Sequence, residues 1–198
     1  SKYIESGDTA DIRKTILNAA GINGNLISYK NSLNNGTRTT LFGLHFTGAA
    51  GLNKMIYNGD GYWQMYLTIE RCLFTKNGPK EYTYNANRDG TSDIRYLKLI
   101  DSTVIRNSTF DNNYGNIEIT NSNILIEKNK FINNFTDITR PNNTWINYGI
   151  LRGWLSGNNI IRDNIFAYNG SVVGDMNQHT LIRVTSNDSL FFTNNTFY

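Results

Sequence analysis

The sequence is short of several features that commonly declare a function. It holds one cysteine, Cys72, in 198 residues, so no intrachain disulfide can form. Cys72 lies in "IERCLFTKN" with no base beside it, which makes a small buried core residue the expectation and a nucleophile the exception. Charge is sparse, 18% of residues with a formal net charge of +3, and that excludes the dense basic face of a nucleic-acid binder. No stretch approaches the ~20 apolar residues of a membrane span. No basic-then-apolar leader precedes Tyr3, so the sequence carries no signal peptide of its own. Metal motifs, "GxSxG" and the P-loop are missing too, and "GINGN" and "GDGYW" are turn glycines, not phosphate cradles. No cofactor and no metal are expected.

What is present is repetition. Phe46, Phe74, Phe110, Phe131, Phe166 and Phe197 recur at intervals of 21 to 36 residues. Five residues before them stand Leu41, Ile69, Ile105, Ile126, Ile161 and Phe192. Two before stand Leu44, Cys72, Ser108, Asn129, Asn164 and Asn195, and three after the first five come Ala49, Asn77, Asn113, Asn134 and Asn169. Agreement across so many columns marks an internal repeat of solenoid size. Within a unit the apolar residues alternate with period two, as in strands, not 3.6 as in helices. "LKL", "IEI" and "IRV", starting at Leu97, Ile117 and Ile182, add a further strand to three of the units.

Stacking such units sets like residues above like at about 4.8 Å, each strand parallel to its copy. Phe and Ile then fill internal columns, while Asn hydrogen-bonds to its copies and tolerates the left-handed backbone of tight corners. The expected fold is all-β, a right-handed parallel β-helix, forming one domain over residues 1–198 with coils from 39 to 198. Glu70, Arg106, Glu127 and Arg162, four residues before the Phe, alternate in sign and are expected to form an exposed charge ladder. In "DTADIRKTILNAA" Asp8 is a candidate N-cap, and Ile12, Ile16, Leu17 and Ala20 make one apolar face. That predicts a short N-terminal capping helix within residues 1–24, stopped by Gly21 and Gly24. "LFFTNNTFY" stops at a core Phe without such a cap, so the expectation is a piece of a longer solenoid.

Extra residues enter after Phe74, Phe131 and Phe166, from what the register makes one corner. They bring Tyr82, Tyr84, Trp145, Tyr148, His179, Arg88, Asp89, Asp137, Arg140 and Asp175. Aromatic rings stack on the apolar face of a pyranose while acids and arginines bond its hydroxyls. Tyr82, Tyr84, Trp145, Tyr148, Asp137, Arg140 and His179 are therefore candidate ligand-binding residues; packing these loops onto the solenoid is an equally weighted role for the aromatics. No catalytic residue is assigned. Paired carboxylates for glycoside hydrolysis need a separation of about 5–10 Å, and Asp101 and Asp163 fall on different corners. His45, between Leu44 and Phe46, is expected to face solvent. Seven N-x-Ser/Thr sequons, at Asn35, Asn107, Asn134, Asn142, Asn169, Asn187 and Asn194, offer weak glycosylation signals, accessible where they fall on corners or loops.

The phrases "LFGLHFTG", "VIRNSTFDNN", "LIEKNKFINN" and "IIRDNIFAYN" resemble the right-handed parallel β-helix repeats of the pectate-lyase-like superfamily, over about residues 39–198. The "NN" after the Phe is similar to the adhesin-like cell-surface proteins of methanogenic archaea. That resemblance implies a secreted, wall-associated, extracellular protein that contacts cells or glycans. The acidic and basic catalytic clusters of the lyases have no match here, so no family residue is carried over. Three expectations follow: an adhesin-like module, probed as a monomer, that binds a glycan, cell-wall polymer or partner cell through its loop side; a polysaccharide lyase or glycoside hydrolase; and a structural stalk.

Overall fold

The computed structural model describes residues 15–19, 27–29, 38–49, 56–58, 66–78, 95–100, 102–120, 123–135, 150–170 and 181–198. Their strands form three sheets in which every pairing is parallel. Sheet A contains β1 (Ile16–Asn18), β4 (His45–Thr47), β7 (Leu73–Thr75), β10 (Thr109–Asp111), β13 (Lys130–Ile132), β16 (Ile165–Ala167) and β19 (Thr196–Phe197). Sheet B contains β2 (Ile27–Tyr29), β5 (Ile56–Asn58), β8 (Arg95–Ile100), β11 (Asn116–Thr120), β14 (Leu151–Leu155) and β17 (Ile182–Ser186). Sheet C contains β3 (Arg38–Phe42), β6 (Tyr66–Glu70), β9 (Thr103–Arg106), β12 (Leu125–Glu127), β15 (Asn159–Arg162) and β18 (Leu190–Thr193). The chain visits A, B and C in strict rotation, so each coil adds one strand to each sheet: a parallel β-solenoid.

The repeated columns are the core. Phe46, Phe74, Phe110, Phe131, Phe166 and Phe197 lie in register, with successive ring centroids 4.7–5.0 Å apart and planes within 5–9°. That spacing is the strand separation itself. The backbone thus imposes a face-to-face stack where free rings prefer offset or edge-on contact. Leu41, Ile69, Ile105, Ile126, Ile161 and Phe192 stack likewise in sheet C, and the four isoleucines are fully buried.

Asparagine runs two ladders through the corners. In one, Asn129 and Asn164 each donate an amide N–H to the Oδ1 of the next Asn, at 3.0 and 2.9 Å. Each also donates to a main-chain carbonyl of the preceding coil, Ile105 O and Ile126 O, at 2.9 Å. In the other, Asn77, Asn113 and Asn134 donate to Asn113, Asn134 and Asn169 at 2.9–3.0 Å. Buried amides so placed leave few polar atoms unmet in a core that would otherwise penalise them. Cys72 and Ser108 occupy the first ladder's upstream rungs. The Cys72 thiol donates to Leu41 O at 3.4 Å, the carbonyl an Asn amide would reach.

The left-handed bends fall one residue before each ladder position. Gly43, Arg71, Asn107, Lys128, Asp163 and Asn194 form one such row and Gly48, Lys76, Asn112, Asn133 and Tyr168 the other, with φ between 52° and 76°. Asparagine therefore serves the corners in two ways, as a buried amide and, in some coils, as the bend residue itself.

Three expectations are corrected. The capping helix cannot run through residues 16–18, which form β1 and pair with His45–Thr47. There Leu17 lies in register with Phe46 and continues the internal column. Residues 1–14 and 20–24 of the proposed cap lie outside the described residues, and among the described residues there is no helix. The charge ladder is in register but not evenly exposed. Arg106 covers Glu70 at 2.8 Å, and Arg162 grips Glu127 through Nε and Nη2 at 3.0 and 2.7 Å. Glu127 is consequently buried, and its hydrogen bonds and charge push the Arg162 guanidinium up. Finally, Asn134 is a corner sequon whose side chain is fully buried in a ladder, and the Asn169 amide is bonded there as well.

Candidate functional site

Tyr82, Tyr84, Trp145, Tyr148, Asp137, Arg140 and His179 lie outside the described residues. Their points of departure are described. The segments 79–94, 136–149 and 171–180 each follow a strand of sheet A (β7, β13, β16) and lead into a strand of sheet B (β8, β14, β17). Tyr114, Phe135 and Gly170 are bridged in parallel at that corner, so two of the exits stack directly on the coil that has no insertion. That coil passes from β10 to β11 through Asn112–Gly115 alone. At Gly78, where residues 79–94 begin, φ is +86° and a Cβ would overlap the Tyr114 carbonyl, so glycine is required there.

Sheet B, the sheet these segments enter, carries an unusual group on its outer face. In β11 Ile117 and Ile119 face the core, and alternation turns Asn116, Glu118 and Thr120 outward. In β14 the outward residues are Arg152 and Trp154, between core-facing Leu151 and Leu155. Outward charges on a solenoid are ordinarily solvated, yet Glu118 is only 3% exposed and Arg152 6%. They are register partners, with Arg152 Nη1 4.0 Å from Glu118 Oε2. The guanidinium lies over the Trp154 ring, 4.3 Å from its centroid, a cation–π contact strengthened by desolvation. Trp154 itself remains 46% exposed. Asn116, 4% exposed, keeps its Oδ1 without a hydrogen-bond partner among the described residues.

Charge runs along this face in register: Lys98, Glu118, Arg152, Arg183. Burial, and then the neighbouring Arg183, pushes the Arg152 guanidinium down to about 10. Gly153 sets the approach of β14, since a Cβ there would sit 2.8 Å from the Ile119 carbonyl oxygen. The group therefore combines a hydroxyl-accepting acid and amide, a rigid bidentate donor and a half-open indole. This is the equipment for a polyhydroxylated ligand.

Sequence reasoning passed over Glu118, Arg152, Trp154 and Asn116. One signal could have found them: the residue between paired aliphatics in "IEI" and "IRV", lined up as the Glu70 row was. Elsewhere, His45 is half-buried and its Nε2 is 2.7 Å from Thr75 Oγ1, a local surface bond. Among the described residues no group of His, Cys, Asp and Glu could hold a metal ion, and no helix is long and apolar enough to cross a membrane. No protein-family model matches the chain, and neither a curated protein nor a solved structure matches it significantly.

Proposed function

We propose that this solenoid is an adhesin-like, cell-surface binding module that takes a glycan, a cell-wall polymer or a partner-cell surface on the outer side of sheet B. The observation that carries the reading is the buried Glu118–Arg152 pair beside half-exposed Trp154, on the face into which all three long segments lead. A solenoid needs no buried ion pair outside its core, and such pairs are a weak source of stability. An aromatic with flanking hydrogen-bonding groups is, by contrast, what a sugar ring requires. Tyr82, Tyr84, Trp145, Tyr148, Asp137, Arg140 and His179 belong to the inserted segments and extend the proposed face. The reading includes an extracellular location, which the exposed sequon residues Asn107, Asn187 and Asn194 suit. It also includes a right-handed coil, the sense taken by about 98% of parallel crossovers, and a cap ahead of β1.

The test is a glycan and cell-wall polymer binding screen with the intact chain and Trp154→Ala. Loss of about 1–3 kcal/mol of binding with an unchanged melting temperature is expected, the scale of a removed aromatic anchor. Binding that survives Trp154→Ala unaltered removes sheet B from the proposal. One observation favours a second reading, a polysaccharide lyase: the Arg152 guanidinium, pushed down to about 10 beside a carboxylate, is nearer a proton-abstracting base than an ordinary arginine. Unsaturated products formed by the parent chain and lost in Arg152→Lys would establish turnover.

A further inference from the structure

We infer that the step between Arg152 and Arg183 on sheet B recognises an oxyanion, so that the saccharide taken there is an acidic one carrying a carboxylate or sulfate. The inference rests on the binding function proposed above and narrows its ligand. Sheet C shows how this fold handles outward charge when nothing else is asked of it. Glu70, Arg106, Glu127 and Arg162 alternate without a break, and each arginine has a carboxylate within 2.8 Å. Sheet B begins the same way with Lys98, Glu118 and Arg152 in register, then sets Arg183 beside Arg152. Like charges directly opposed across neighbouring strands, about 4.8 Å apart, repel.

The geometry points to where an anion fits. Glu118 occupies one side of Arg152, and Trp154 lies against its guanidinium plane. The side toward Arg183 is thus the one where an added negative charge meets two cations and no acid. Arg183 is exposed, and among the described residues it makes no ion pair. Two guanidinium forks on adjacent strands match the two oxygens of a carboxylate or the three of a sulfate ester. The half-open Trp154 ring stands two residues along the same strand from Arg152, a placement for the hexose that bears the anion. Asn116 Oδ1, buried and unpartnered on β11, supplies an acceptor for a hydroxyl on the same outer row.

The test titrates the intact chain with matched trisaccharides in three forms: neutral, uronate-bearing and sulfated. At low ionic strength an acidic member should bind at least about tenfold tighter than its neutral parent, as charge-assisted bidentate pairs allow. Raising the salt should shrink that preference. Arg183→Gln, exposed and outside the core, should keep the melting temperature and reduce the preference below about threefold. Whether the uronate or the sulfate member leads identifies the source of the oxyanion. Equal binding of neutral and acidic members, or a preference untouched by Arg183→Gln, overturns the inference while leaving the binding function standing. If no member binds in any form, the binding function fails, and the inference with it.

Discussion

At the scale of the residue, the asparagine amide is the most demanding group in the molecule. Asn134 accepts from the Asn113 backbone at 3.1 Å and from its amide at 3.0 Å, and donates to Phe110 O at 2.9 Å and Asn169 Oδ1 at 3.0 Å. Asn134→Leu keeps the volume and removes all four bonds. Stranding buried donors and a carbonyl costs about 1–3 kcal/mol apiece when water cannot reach them, so chemical denaturation should show a loss of at least about 3 kcal/mol. Cys72 offers the converse experiment. Its thiol points at Leu41 O, where coils downstream place an amide, so Cys72→Asn should extend the ladder and stabilise by about 1 kcal/mol. Burial pushes the Cys72 thiol up to about 11 from an ordinary 9.0. Between those values the folded chain binds more of this proton than the unfolded chain does. Stability is therefore complete below pH 9 and falls as pH rises toward 11, by up to about 3 kcal/mol. Unfolding curves of the parent and Cys72→Ser across that range check it: only the parent should carry this slope.

At the scale of the element, corners and strands place different demands on sequence. The corner conformation is imposed by the coil, since Arg71, Lys76, Lys128, Asp163 and Tyr168 hold positive φ where asparagine or glycine stands in other coils. Tyr168 is 72% exposed with φ 53°, so it bears backbone strain with little packing to offset it. Tyr168→Asn should stabilise by about 1 kcal/mol, read as a raised melting temperature. The strands were legible because their chemistry repeats: Phe110, Phe131 and Phe166, with Ile105, Ile126 and Ile161, announce both period and register. Residues 16–18 were misread because Ile12, Ile16, Leu17 and Ala20 fit a helical face, whereas parallel pairing with β4 needs only that Leu17 sit above Phe46. Tertiary stacking overrode the local pattern. The candidate site was harder to see for another reason. Glu118 and Arg152 stand 34 residues apart and come together only when β11 and β14 pair. The burial of two outward charges depends on surroundings that alternation cannot encode.

At the scale of the whole molecule, stability is close to one-dimensional, each coil resting on its two neighbours. Phe131 stacks between Phe110 and Phe166 in the middle of the column. Phe131→Ala should cost about 3–5 kcal/mol. Hydrogen exchange should show protection lost first in β10, β13 and β16, with the coils on either side persisting. Uniform loss across all three sheets would mean that the solenoid unfolds as one unit. The asparagine ladders have a consequence for how such a molecule can vary in length. In every rung the amide oxygen receives from the coil before, and the amide N–H is offered to the coil after. Each coil is in effect a brick with a socket beneath and a stud above. A duplicated brick that keeps both asparagines can be inserted at any level without altering those around it. One that has lost them leaves a stud with nothing to enter. The chain can therefore gain or lose height in whole courses, while the face that Glu118, Arg152 and Trp154 occupy stays at its own storey.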